Sequence, residues 1–272
     1  MKYKERSKGL SEEVELEIVE LYDQGNSIRQ IQKLKECSIQ DIRKVFKKFE
    51  VEPKTLKFYR EQHANDSAFL DTTEEDCAYF YGWLLSDGCY TNNAMVVAIN
   101  SKDIEVLENL KAYVGTENKI SVGTHTDSRN GSVYNRASFY FKHDLMTERL
   151  VALGMSQRKS AKEVCPEVFK YNRHFWRGMI EGDGSISKSS NEIGLVGSQE
   201  VVEAFGEYCK SLFPDCKPNY YVKGTLHVFS LCSKVYSKQI LDELYRDCKY
   251  KLSRKYNIYL EKYYGFDACR TG

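Results

Sequence analysis

The chain has 272 residues, 42% of them hydrophobic and 29% charged, a balance that suits a globular protein of more than one lobe and excludes a disordered tail. Its nine cysteines are scattered without a CxxC pair, no secretory signal precedes them, and the longest apolar run is only Cys77 to Leu85, so free thiols in a reducing intracellular compartment are expected, with no zinc site, disulfide framework or membrane partner. The net charge of +1 is unevenly spread: residues 29–60 carry ten Lys+Arg against four Asp+Glu, 61–110 carry one against ten, and 111–272 carry 25 against 18, so a neutral total conceals basic faces suited to a polyanion.

The first 52 residues read as three short helices. Ser11-Glu12-Glu13 opens an amphipathic run that stops at Gln24-Gly25-Asn26, Ser27 caps a second run through Ile28, Ile31 and Leu34, and Cys37-Ser38 turns into a third spaced by Ile39, Ile42, Val45, Phe46 and Phe49. This resembles a helix-turn-helix DNA-binding domain. The third helix would be its recognition helix, presenting Gln40, Arg43, Lys44, Lys47 and Lys48, the first two suited to base edges and the lysines to phosphates. The plain alternative is a three-helix bundle with a solvated basic face. Residues 53–71 read as a polar linker, extended or helical, whose basic part, Lys54 to Arg60, suits a phosphate backbone.

Two nonapeptides then repeat one pattern: Phe80-Tyr-Gly-Trp-Leu-Leu-Ser-Asp87-Gly88 and Trp176-Arg-Gly-Met-Ile-Glu-Gly-Asp183-Gly184, with their aspartates 96 positions apart. The similarity extends into Asn100–Tyr113 against Gly197–Cys209, and Arg158-Lys159 and Arg254-Lys255 each place a lysine 72 residues after its aspartate. An internal duplication follows, with domains expected at 72–168 and 169–272. Capping-box spacing in Thr72-Thr73-Glu74-Glu75-Asp76 predicts a helix start there, running buried to Leu85. Gly82 with Ser86, and Gly178 with Gly182, would let two such helices pack closely about a pseudo-twofold axis. Asp87 and Asp183 would then be neighbours at the helix ends, with Gly88 and Gly184 as C-caps. Two carboxylates held together repel unless they share a cation, and hard oxygen ligands point to Mg²⁺ or a similar ion such as Mn²⁺. A single Asp-Gly would read as a turn; duplication of the whole nonapeptide favours the shared site.

Residues 72–262 resemble a LAGLIDADG homing endonuclease of the single-chain, two-motif type. That resemblance implies a mixed α/β (α+β) fold of two pseudo-symmetric αββαββα lobes, whose four-stranded antiparallel sheets form a saddle over double-stranded DNA. It implies a monomer that makes a metal-dependent double-strand break in a long, asymmetric target. Metal held by Asp87 and Asp183, with help from the Ser86 and Gly182 carbonyls, would polarise the phosphate and acidify a bound water. Lys159 and Lys255 match the family's basic catalytic residue, although each alone also reads as a surface lysine. The strand readings 90–99, 120–126, 134–141, 186–196 and 220–231 put Thr91, Asn93, Thr124, Thr126, Asn135, Arg136, Ser187, Lys188, Tyr221, Lys223 or His227 toward a ligand. A non-cleaving regulator and an RNA-binding intron maturase on the same scaffold remain as alternatives. An intein is not expected, since the chain begins Met1-Lys2-Tyr3 and lacks a His-Asn ending.

Overall fold

The computed structural model describes residues 10–54, 64–127, 131–157, 159 and 161–265. The chain divides into two compact units, Met1–His63 and Ala64–Gly272.

In the first unit, α1 (Glu12–Asp23), α2 (Ile28–Lys35) and α3 (Ile39–Lys48) start at Ser11, Ser27 and Ser38, whose side chains each accept a backbone N–H from the helix they cap. Gln30 completes a capping box at α2. Ile18, Tyr22, Ile31, Ile42, Val45 and Phe46 form the core, with the Tyr22 and Phe46 rings 4.3 Å apart. Lys54 folds back on this unit, its Nζ donating to the Tyr22 carbonyl. The rest of the basic linker segment, 55–60, lies outside the described residues, as does Arg158.

The second unit begins before the expected helix. Residues 64–71, read as linker, pack on its core: Phe69 is buried, its N–H donates to the Tyr113 hydroxyl at 2.7 Å, and the two rings meet edge to face at 5.1 Å. An aromatic inside a polar stretch was the signal that these residues are anchored. The helix α4 then runs Glu75–Ser86. It starts later than the capping-box spacing implies, with Glu74 at the cap and no side-chain bond there, because Thr73 donates its hydroxyl to Asp71 instead.

From α4 the chain forms β1 (Gly88–Thr91), β2 (Ala94–Asn100), α5 (Ile104–Val114), β3 (Ser121–Thr126), β4 (Val133–Phe141) and α6 (Asp144–Ala152). The series repeats as α7 (Arg173–Gly182), β5 (Gly184–Ile186), β6 (Glu192–Gly197), α8 (Gln199–Leu212), β7 (Asn219–Lys223), β8 (Leu226–Cys232) and α9 (Lys234–Tyr245), followed by α10 (Ser253–Tyr264). Each half is therefore αββαββα, with one four-stranded antiparallel sheet of order β1-β2-β4-β3 or β5-β6-β8-β7. Asn92 and Asn93 both take the left-handed conformation in the β1–β2 turn, as a two-residue hairpin of matching twist requires. Met95, Val97, Ile99, Phe139 and Phe141 face the helices, as do Ile193, Leu195, Phe229 and Leu231 in the other sheet. The two halves share one continuous core.

The halves meet at α4 and α7, and glycine makes that possible. A β-carbon on Gly82 would lie 2.5 Å from the Phe175 carbonyl oxygen, and one on Gly178 would lie 2.3 Å from that of Tyr79. Any side chain there would force the two backbones apart.

Candidate active site at the paired helix ends

The close crossing carries the two helices to a common end, where Asp87 and Asp183 are the C-terminal cap residues of α4 and α7. At the seventh motif position the two helices interlock. A β-carbon on Gly182 would fall 2.0 Å from Ser86 Oγ and 3.1 Å from Asp87 Oδ2, so the Asp87 carboxylate rests against the opposite helix and only one of the two positions can carry a side chain. Gly88 and Gly184 open β1 and β5 and do not act as left-handed C-caps. Their reason is steric: a β-carbon would meet the Leu84 carbonyl oxygen at 2.4 Å or that of Ile180 at 2.5 Å, where the chain doubles back on its own helix.

The Asp183 carboxyl is pushed up to about 6, by burial first and by the charge of Asp87 second, with the Lys159 charge opposing. Burial likewise raises Asp87, against the charges of Lys255 and Lys159. Asp183 nonetheless keeps an exposed surface, so these carboxylates sit in a crowded cleft that water still enters. Two mutually repelling carboxylates at a helix end, open to solvent, fit a hard divalent cation whose remaining ligands are water and phosphate. Asp87 and Asp183 would hold it. Among the described residues no cluster of three or more His, Cys, Asp or Glu side chains is arranged to hold a metal.

Lys159 and Lys255 are both buried, which separates them from ordinary surface lysines. Lys159 Nζ donates to the Leu85 carbonyl and, at 2.9 Å, to that of Ser86. Lys255 Nζ donates to the carbonyls of Ile180 (2.8 Å), Glu181 (2.7 Å), Gly182 (3.2 Å) and Gly184 (2.6 Å). Each lysine thus bonds terminal carbonyls of the helix that delivers its own aspartate, Lys255 reaching also the Gly184 carbonyl at the start of β5, and places positive charge at the negative end of the dipole. The Ser86 and Gly182 carbonyls, expected as metal ligands, are engaged by these ammonium groups, each keeping a second lone pair. Burial lowers Lys255 to about 8 and shifts Lys159 in the same direction.

Several further residues complete the surroundings. Glu163 is buried with Oε2 lacking a hydrogen-bond partner among the described residues; its charge opposes ionisation of Asp183 and supports that of Lys159. Glu181, the sixth motif residue, is buried away from solvent and accepts from the Tyr79 hydroxyl at 2.6 Å. Burial raises its carboxyl. Arg177 is wholly buried, pairs with Glu75 and donates to the Leu244 carbonyl at 2.9 Å. Glu163 lies outside both nonapeptides, and Arg177 and Glu181 stand where the other copy has Tyr81 and Leu85, so the repeat does not mark them and only the folded contacts reveal them.

Strand register decides which residues share the uncovered face of each sheet. Directly paired residues lie on one side, so the pairs Asn100↔Arg136 and Gly123↔Arg136 put Arg136 on the uncovered face of the first sheet. Thr124 and Thr126, paired with Asn135 and Val133, fall on the other side, as does Asn135 itself, which shares the parity of the buried Ala137 and Phe139. In the second sheet Tyr221↔Val228 and Lys223↔Leu226 belong to the uncovered face, whereas His227, paired with Gly197 and Val222, does not. Lys188 is exposed in the turn after β5. Four of the named side chains were displaced because reading alternation from isolated segments leaves the register open by one residue. In α3, Gln40, Arg43, Lys44, Lys47 and Lys48 are all exposed. Lys44 pairs with Asp41 at 3.1 Å and Lys48 pairs with Glu15 at 2.5 Å, leaving Gln40, Arg43 and Lys47 uncommitted among the described residues.

A known structure shares this fold. The homing endonuclease I-WcaI, solved bound to its DNA recognition sequence, aligns over 80% of this chain and 96% of its own at a TM-score of 0.53 and 12% identity. The fold is the two-lobed LAGLIDADG fold. Two further LAGLIDADG structures align at lower scores: the N-terminal LAGLIDADG domain of DUF199/WhiA (TM-score 0.42, 13% identity, 66% of this chain and 85% of that one) and I-DmoI in complex with DNA and Mn (TM-score 0.43, 12% identity, 68% and 100%). No family model and no curated protein matches the sequence.

Proposed function

We propose that this protein is a site-specific DNA endonuclease that makes a divalent-metal-dependent double-strand break in a long, asymmetric target, in the manner of the LAGLIDADG homing endonucleases. The observation that carries the proposal is the pairing of Asp87 and Asp183 at the interlocked ends of α4 and α7, with Asp183 raised to about 6 partly by the charge of Asp87. A cation bound there would supply Lewis acidity at the scissile phosphate and a water of lowered pKa. The chain's own residues supply the rest. Lys159 and Lys255 hold the helix ends, and so the carboxylates, in place while keeping positive charge near the phosphate.

Two uncovered sheet faces, carrying Arg136 on one side and Tyr221 and Lys223 on the other, would lie along the duplex, with Lys188 at a turn. The non-identity of these faces suits an asymmetric sequence. The first unit would add a separate contact through Gln40, Arg43 and Lys47 of α3, extending the site read. The protein would act as a monomer, since one chain already supplies both aspartates.

The test is cleavage of DNA spanning the gene's own insertion site, with and without Mg²⁺, by the wild type, Asp87→Asn and Asp183→Asn. Metal-dependent double-strand cleavage abolished by either substitution is expected. Tight binding of the same DNA with no cutting in any divalent metal would leave a binding protein, a regulator or maturase, on the same fold.

A further inference from the structure

The acidic stretch around the first motif has a partner inside the molecule, in the segment that leads into Lys255. Lys249 N–H donates to Glu75 at 2.8 Å and its Nζ pairs with Asp76 at 2.8 Å; the Tyr250 hydroxyl also donates to Asp76, at 3.0 Å. Ser253 donates through both N–H and Oγ to the two oxygens of Glu105, each at 2.7 Å. Arg254 grips Asp103 with Nε and Nη2 at 3.0 and 2.9 Å, a bidentate pair. All four carboxylates belong to the first half, on α4 or at the start of α5, whereas the next residue, Lys255, caps α7 of the second half. Residues 249–254 are therefore a strap of the second half that docks on the first half and leads into the lysine capping the second half's own aspartate-bearing helix.

The arrangement has a weaker counterpart. The segment carrying Lys159 is tied through the Glu163 carbonyl to the hydroxyl of Ser198, the N-cap of α8. Both ties end at the first turn of the helix that follows a half's first hairpin, so each half holds the other's lysine segment. One tie is two paired carboxylates receiving four bonds; the other is a single neutral hydrogen bond.

We propose, building on the endonuclease reading, that Asp103 and Glu105 are positioning residues for Lys255, so that the half of the catalytic centre containing Asp183 is complete only while the strap is docked on the first half. Inter-half docking and the geometry at Asp183 are then one coupled event, and the two strands of the target are cut by halves of unequal dependence on it.

The test compares full-length wild type with Asp103→Asn/Glu105→Gln, and with Asp103→Arg/Arg254→Asp as a charge-reversed rescue. The first readout needs no activity: reductive methylation of DNA-free protein, followed by mass spectrometry. Lys255 is expected to react about tenfold faster in the double neutral variant, the loss of protection that follows from removing charge-assisted bonds, with Lys159 unchanged and the reversed pair restoring protection. The second readout is a supercoiled plasmid carrying the target, on which the neutral variant should accumulate nicked circles with unchanged DNA affinity. Unchanged Lys255 reactivity, or equal exposure of Lys159 and Lys255, would overturn the strap as a positioning device. Wild type that cuts no DNA would instead overturn the endonuclease reading and with it the catalytic consequence, while the methylation result would still decide whether Asp103 and Glu105 hold Lys255.

Discussion

Asp183 shows how placement sets chemistry at a single residue. An aspartate in an unfolded chain titrates near about 3.9, whereas in the fold burial and the Asp87 charge push Asp183 up to about 6. Between those values the native state holds the extra proton, so this group's contribution is full at acid pH and is lost as pH rises through the folded value. Metal-free Asp183→Asn should therefore melt a few degrees above wild type at about pH 7 and no higher at about pH 4, by calorimetry. Adding a divalent cation should stabilise wild type at neutral pH and leave the variant unmoved. The two lysines offer a second contrast, since Lys255 serves four carbonyls and Lys159 two. Orphaned buried carbonyls cost about 1–3 kcal/mol, so Lys255→Met should lower urea-unfolding stability by that order and by more than Lys159→Met.

Among the elements, α4 and α7 are decided by what they lack. Gly82 and Gly178 each face backbone atoms of the opposite helix, which cannot rotate aside as a side-chain tip would. Gly178→Ala should therefore cost at least the 1–3 kcal/mol or so typical of overpacking, seen as a lower denaturation midpoint, and should weaken cleavage by moving the aspartates apart. The small-residue spacing was legible in the sequence because four residues return a helix to the same face. The start of α4 was not, because Thr73 found Asp71 rather than the helix. In the strands, alternation marked where β4 and β8 run, but Thr124, Asn135 and His227 needed the pairing partners to reveal their side.

At the scale of the molecule, charge distribution carries two meanings. The basic excess in residues 29–60 leaves Arg43 and Lys47 exposed and uncommitted on α3, suited to phosphate. Replacing both with Ala in the full chain should lower the slope of log affinity against log salt by about two, measured by fluorescence anisotropy, with metal-dependent cleavage retained at saturating protein. The acidic excess in 61–110 works inside the fold, where Glu75, Asp76, Asp103 and Glu105 receive the strap 249–254. Among the described residues no helix is long and apolar enough to cross a membrane.

The sequence by itself determined the duplication, the two buried motif helices, the serine-capped helices of the first unit and the two aspartates, because each is written in local spacing: a period, a cap or a repeated peptide. Tertiary structure alone decided that the lysines cap helix ends, that the buried Glu163 charge acts on Asp183 and Lys159, that Gly88 and Gly184 are there for want of room, and which face each strand residue takes. Those outcomes depend on which atoms from distant parts of the chain arrive at the same place, and neither spacing nor composition encodes that distance.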